Sequence, residues 1–183
     1  MSASSRSGDS LDPPPEMVMR LMERIVGEQW PSGLERFSSY FARLGCVLGS
    51  PAEPDDEAAP GVAQGRFDVP GCEVKNASWD ALNDDLFSLN LFVYEGSENF
   101  SSADVIAGYD AVRDGISAVF GPSPDERTDR HGNRSAVWWV QGTVIELYAH
   151  VSVAPAVQVG AAHEGRTAVY HQLIAQLPKH LRH

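Results

Sequence analysis

The spacing of apolar residues changes period several times along the chain. Met17, Val18, Leu21, Met22, Ile25 and Val26 recur at steps of one, three and four, which is a single helical stripe facing a core. Pro31 disfavours helical backbone at the preceding residue, so the pattern predicts a first helix from Glu16 to about Trp30. Ser32 and Glu35 fit an S-x-x-E capping box and predict a second helix from Ser32, with Leu34, Phe37, Phe41 and Leu44 inward and Gly45 as its stop. Residues 50–64, SPAEPDDEAAPGVAQ, carry no period and are expected to form a mobile loop.

A period of two follows. Arg66–Val69 and Cys72–Lys75 flank Pro70-Gly71 and predict a hairpin, and in Leu86–Glu95 the residues Leu89, Leu91 and Val93 alternate with Ser88, Asn90 and Phe92. The helical period then returns. Ser101 or Ser102 can cap a helix whose Val105, Tyr109, Val112, Ile116, Val119 and Phe120 form one stripe, stopped at Gly121-Pro122. SPDERTDRHGNRS reads as a polar loop, and Val137–Gln141, Thr143–His150 and Ala156–Gly160 as strands. The first two of these strands meet tightly at Gln141-Gly142, and Pro155 sets off the third. Ala168, Val169, Leu173, Ile174 and Leu177 mark a last helix before Pro178. The element order αα-βββ-α-βββ-α, with runs of strands between single helices, predicts an α+β fold: an antiparallel sheet with helices packed on one face. No internal repeat of fixed period is visible.

Residues 1–15 are Ser-rich, lack an apolar period and end in Pro13-Pro14-Pro15, so a disordered tail is expected ahead of a single domain spanning 16–183. A chain of 183 residues with 43% hydrophobic and 21% charged side chains fits one globular unit. Its 25 acidic residues outnumber 14 basic ones, and a net charge of −11 argues against nucleic acid and against an anionic membrane surface as partners. The N-terminal stretch has no apolar middle of the kind a secretory signal requires, and no apolar run reaches about 18 residues, so a cytoplasmic location is expected.

Common phosphate-binding, zincin and α/β-hydrolase motifs do not occur in the sequence, and no catalytic residue stands out. His131, His150, His163, His171, His180 and His183 show no ligand spacing with a carboxylate or thiol, so neither a metal nor another cofactor is implied. Cys46 and Cys72 are too few for a disulfide framework and are expected to be small buried apolar residues. In a strand, Trp138 and Trp139 point to opposite faces. One therefore enters the core, while the other is either covered by the last helix or exposed as a binding anchor. Acids gather at Asp55, Asp56 and Glu57, at Asp80, Asp84 and Asp85, and at Glu95 and Glu98. Such clusters are usually solvated faces, but under a net charge of −11 they can steer a basic partner. Asp55, Asp56, Glu57, Asp84, Asp85, Trp138 and Trp139 are accordingly the candidate partner-binding residues.

The stretch AVFGPSPDERTDRHGNRSAVWWVQGTVIELYAHVSV, in which a helix ends in Gly-Pro and a Trp-bearing strand follows, resembles small actinobacterial α+β proteins of no assigned activity. The use of arginine for all but two of the basic residues, Lys75 and Lys179, is similar to high-GC genomes. The element order resembles that of the type III secretion chaperone-like fold. What the resemblance implies is a non-enzymatic accessory protein that binds another protein, as a chaperone or a toxin-neutralising immunity factor. The alternative expectation is a small-molecule enzyme or ligand-binding protein with a pocket between sheet and helices.

Overall fold

The computed structural model describes residues 11–53, 59–71, 74, 76–95, 101–152 and 154–176. Their elements run α1 (Pro15–Gly27), a 3₁₀ turn (Leu34–Arg36), α2 (Phe37–Leu44), β1 (Val47–Pro51), β2 (Val62–Asp68), β3 (Asn76–Leu82) and β4 (Asp85–Val93). The second half continues with α3 (Ser102–Phe120), β5 (Asp125–Thr128), β6 (Arg134–Val140), β7 (Thr143–His150), β8 (Ala156–His163) and α4 (Glu164–Gln176). The fold is α+β, with every strand in one antiparallel eight-stranded sheet of order β1-β2-β3-β4-β8-β7-β6-β5. The first half is α1 and α2 followed by a four-stranded meander, the second is α3 followed by another, and the two meanders join along β4 and β8. Each meander has one strand more than the sequence pattern suggests, because β1 and β5, the two edges, lie in stretches without apolar alternation.

One face of the sheet carries the core. Leu89, Leu91 and Val93 on β4, Ile145, Leu147 and Ala149 on β7, and Val157, Val159 and Ala161 on β8 point inward beneath α1 and α3. The α3 stripe Val105, Tyr109, Val112 and Ile116 is buried as its spacing predicts, although Val119 at its end is 40% exposed. Ser101 caps α3 in a reciprocal box with Asp104, whose carboxyl is held below the usual range by the Ser101 hydroxyl and backbone N–H. Gly45, at φ +78°, closes α2 in the left-handed conformation that a Cβ would strain. Gln141 and Gly142 both have positive φ and make the tight β6–β7 turn.

Several expectations are corrected. Residues 11–15 lie against the domain: Leu11 packs on the core, and the Pro13 carbonyl accepts a 2.7 Å bond from the Tyr94 hydroxyl. Residues 1–10 lie outside the described residues. Helix α1 stops at Gly27, and Glu28 is already extended, before Pro31 can act. The Ser32 capping box does not form. Gly33 (φ +87°) donates its N–H to the Asp84 carbonyl, Ser32 bridges to Asp85, and α2 starts only at Phe37, leaving Leu34 45% exposed. The partner of β2 is β3, which begins at Asn76, and not the strand expected at Cys72–Lys75: Val74 lies outside the strands, and Cys72, Glu73 and Lys75 fall outside the described residues; Cys46 is buried. Strand residues also take both ends of the expected loop at 50–64, whose centre, 54–58, is outside the described residues.

Helices α1, α2 and α3 share the core face, whereas α4 lies across the other. A bulge in β4 prepares that second face. Ala81 pairs with Leu86 and Asp80 with Ser88, so Phe87 is the extra residue; Leu86 stays in the core while Phe87 stacks on Tyr170 of α4 at 4.8 Å.

Candidate functional site

The strand register sorts the outward side chains into rows that cross the sheet. One row runs Gln64, Asp80, Ser88, Ala162, Val144, Trp139; the next runs Arg66, Ser78, Asn90, Gly160, Glu146, Val137, Asp125. On β8, in the middle, the residues in these two rows are the small Gly160 and Ala162, which leave a trough between β4 and β7. A Cβ on Gly160 would stand 2.9 Å from Asn90 Oδ1, so only glycine lets the Asn90 amide lie across the strand.

Helix α4 walls the trough on one side and encloses a groove of about 730 Å³. Asp80, Ser88, Asn90, Val144, Glu146 and Ala162 form its floor, Thr167, Tyr170 and His171 its helical wall, and Trp139, Val137 and Asp125 its far rim. None of the described residues of α4 is buried, and the helix is anchored mainly through Arg166. The guanidinium of Arg166 donates to the carbonyls of Pro31 (2.8 Å), Leu86 (2.7 Å) and Trp30 (3.3 Å) and to Ser32 Oγ (2.9 Å). His163 Nδ1 accepts the Arg166 backbone N–H, and partial burial beside the Arg166 charge pushes the imidazole below its ordinary pKa.

The floor is a connected polar chain. Gln64 donates to Asp80 (2.8 Å), Ser88 donates to the other Asp80 oxygen (3.1 Å), and Asn90 donates to Ser88 (2.8 Å). Gln158 extends the chain to Asn90 at 3.5 Å and to His150 at 3.3 Å, so it crosses from β2 to β7. Burial raises the Asp80 carboxyl, against the lowering effect of Ser88 and Gln64. Burial likewise raises Tyr170, with the Asp80 charge adding to it, and takes Tyr148 up to about 12, with Glu146 adding to it. The groove is lined by four carboxylates, Asp80, Asp125, Glu146 and Glu164, and by the aromatic rings of Phe87, Trp139 and Tyr170, with no lysine or arginine among its lining residues. Such a lining favours a cation that also offers apolar surface.

The residues singled out from sequence divide. Trp138 points inward, 1% exposed, and donates its indole N–H to the Gly121 carbonyl at 3.0 Å, as the core member of the pair. Trp139 is 53% exposed on the groove rim, not covered by α4. Asp84 and Asp85 sit at the β3–β4 turn beside the α1–α2 connection, off the groove. Asp55, Asp56 and Glu57 lie outside the described residues. Glu146 and Asp125 are not among the sequence candidates, and Asp80, grouped there with Asp84 and Asp85, lies within β3 instead of at the turn. The signal available for Glu146 was its outward position in the strict alternation of β7. Among the described residues no group of three histidine, cysteine, aspartate or glutamate side chains stands close enough to hold a metal, and no helix is long and apolar enough to cross a membrane. Compared with family models, curated proteins and solved structures, the chain matches none.

Proposed function

We propose that the protein is a protein-binding module of chaperone or immunity type, and that it receives a basic segment of its partner in the groove between the outer sheet face and α4. The observation that carries this reading is the groove lining: four carboxylates and three aromatic rings without a lysine or arginine. In a partly desolvated trough such charges act more strongly than on an open surface, and the exposed ring of Trp139 supplies the amphipathic anchor common at interface hot spots. A displayed library of random peptides, selected on the wild type, tests it. The expected result is enrichment of lysine- and arginine-bearing peptides whose binding falls at least about tenfold, some 1.4 kcal/mol, with Glu146→Lys or Trp139→Ala. Selection of neutral or acidic peptides, or undiminished binding to both variants, would overturn the reading.

A second reading has one observation in its favour. About 730 Å³ falls in the range of small-molecule sites. A small organic amine that raises the melting temperature of the wild type but not of Glu146→Lys, with no peptide enriched, would favour it.

A further inference from the structure

On the rim of the groove, the strand register sets an indole against two carboxylates. Val137 on β6 pairs with Glu146 on β7 and with Asp125 on β5, and Trp139 stands two residues further along β6 on the same face. Asp125 and Glu146 are therefore diagonal neighbours of Trp139, with backbones about 7–8 Å from its own by strand geometry, and they flank Val137 from opposite sides. Two strand spacings separate their backbones by about 10 Å. Val137 lies between them on that face, and the Tyr148 hydroxyl, two residues along β7, approaches Glu146.

We propose that this patch is an arginine-reading subsite: a guanidinium of the partner lies over Val137, stacks on Trp139 and donates to Glu146 and Asp125. The inference rests on the basic-segment reading and deepens it. A guanidinium presents five N–H groups in a rigid plane and can face an aromatic ring while it bridges two carboxylates; an ammonium is a compact, strongly hydrated charge without that plane. The structure already shows that Asp125 accepts a guanidinium in a fork. Arg127, two residues along β5, donates to both of its oxygens at 2.8 and 2.9 Å. That pair is solvent-exposed, with the Arg127 side chain 76% accessible, so an incoming arginine can exchange with it at little cost. Glu146 has no cationic partner within ion-pair distance among the described residues. Arg127 is thus an internal competitor for half of the subsite.

The full chain, labelled with ¹⁵N, can be titrated with N-acetyl-arginine methylamide, its lysine counterpart and the neutral citrulline counterpart. The Trp139 indole N–H, assigned by its loss in Trp139→Phe, is the reporter; the indoles of the buried Trp30, Trp79 and Trp138 show whether the core stays intact. The expected result is a saturable Trp139 shift with arginine in about the millimolar range, at least about fivefold weaker with lysine and none with citrulline. Glu146→Gln should weaken the arginine response and Arg127→Ala should strengthen it, a gain that loss of structure would not produce. An equal response to citrulline or lysine, or a silent Trp139 at about 50 mM arginine, would overturn the subsite. If basic peptides bind the groove while Trp139 stays silent to arginine, the basic-segment reading survives and the subsite falls. If arginine binds as described but no basic peptide is selected, the subsite stands and that reading falls.

Discussion

Asp80 shows what the groove demands of one side chain. Its burial raises the folded carboxyl above the ordinary aspartate range, so the folded protein holds that proton more tightly than the unfolded chain does. Between the unfolded pKa and the raised folded one, stability falls as pH rises, and above both the penalty is complete. Asp80→Asn removes that dependence, so its stability relative to wild type should be more favourable at pH 7 than at pH 3 in urea titrations. A difference that stays constant with pH would refute the desolvation account. The two tryptophans give a sharper contrast. Trp138→Ala should cost about 3–5 kcal/mol because it empties a filled core position, whereas Trp139→Ala should stay within about 0.5 kcal/mol in thermal or chemical unfolding. Sequence alternation shows that the two rings part company, but it does not say which goes inward; that depends on the register of β6 against β7.

At the scale of elements, legibility follows the strength of the period. Helix α3 and strand β7 are readable almost to the residue because their stripes face a filled core. Strands β1 and β5 are not, since an edge strand has only one neighbour: β1 carries Gly49 and ends in Pro51, and β5 reads Asp-Glu-Arg-Thr, residues that guard an edge rather than signal a strand. The bulge that turns Phe87 outward has no signature in the sequence. The last helix is legible as a helix but not in its role. Val169, one of the apolar residues that mark the helix, is 56% exposed, and no described residue of α4 is fully buried. Two substitutions separate the helices. Ile116→Ala should lower global stability by about 2–5 kcal/mol, since Ile116 is fully buried on the core face of α3. Arg166→Ala should instead lower the local opening free energy of α4 by roughly 2 kcal/mol, the scale of lost bonds to a charged donor. Hydrogen exchange would then show faster α4 amides with α3 unchanged, and equal loss across both helices would refute a local latch.

The whole molecule combines two similar halves with a strongly one-sided charge. In each half helical structure precedes a four-stranded meander, and their junction at β4 and β8 puts the small Gly160 and Ala162 of β8 in the middle of the sheet, where the groove opens. A groove at that junction is not readable from either half alone, because it needs rows of residues from five or more strands in one register. The net charge of −11 acts over a longer range than the groove does. Once a basic partner is in hand, its association rate should fall as salt rises, because screening over a Debye length of about 8 Å at physiological ionic strength removes the steering attraction. Reversing Asp84 and Asp85 to lysine, off the groove, should slow association and leave dissociation nearly unchanged. Glu146→Lys, inside the groove, should slow association and also speed dissociation, because it replaces a contact made in the bound state. Stopped-flow association and dissociation rates across a salt series separate the two effects: an association rate indifferent to salt and to the double reversal would remove steering, and a dissociation rate indifferent to Glu146→Lys would remove the groove as the bound surface.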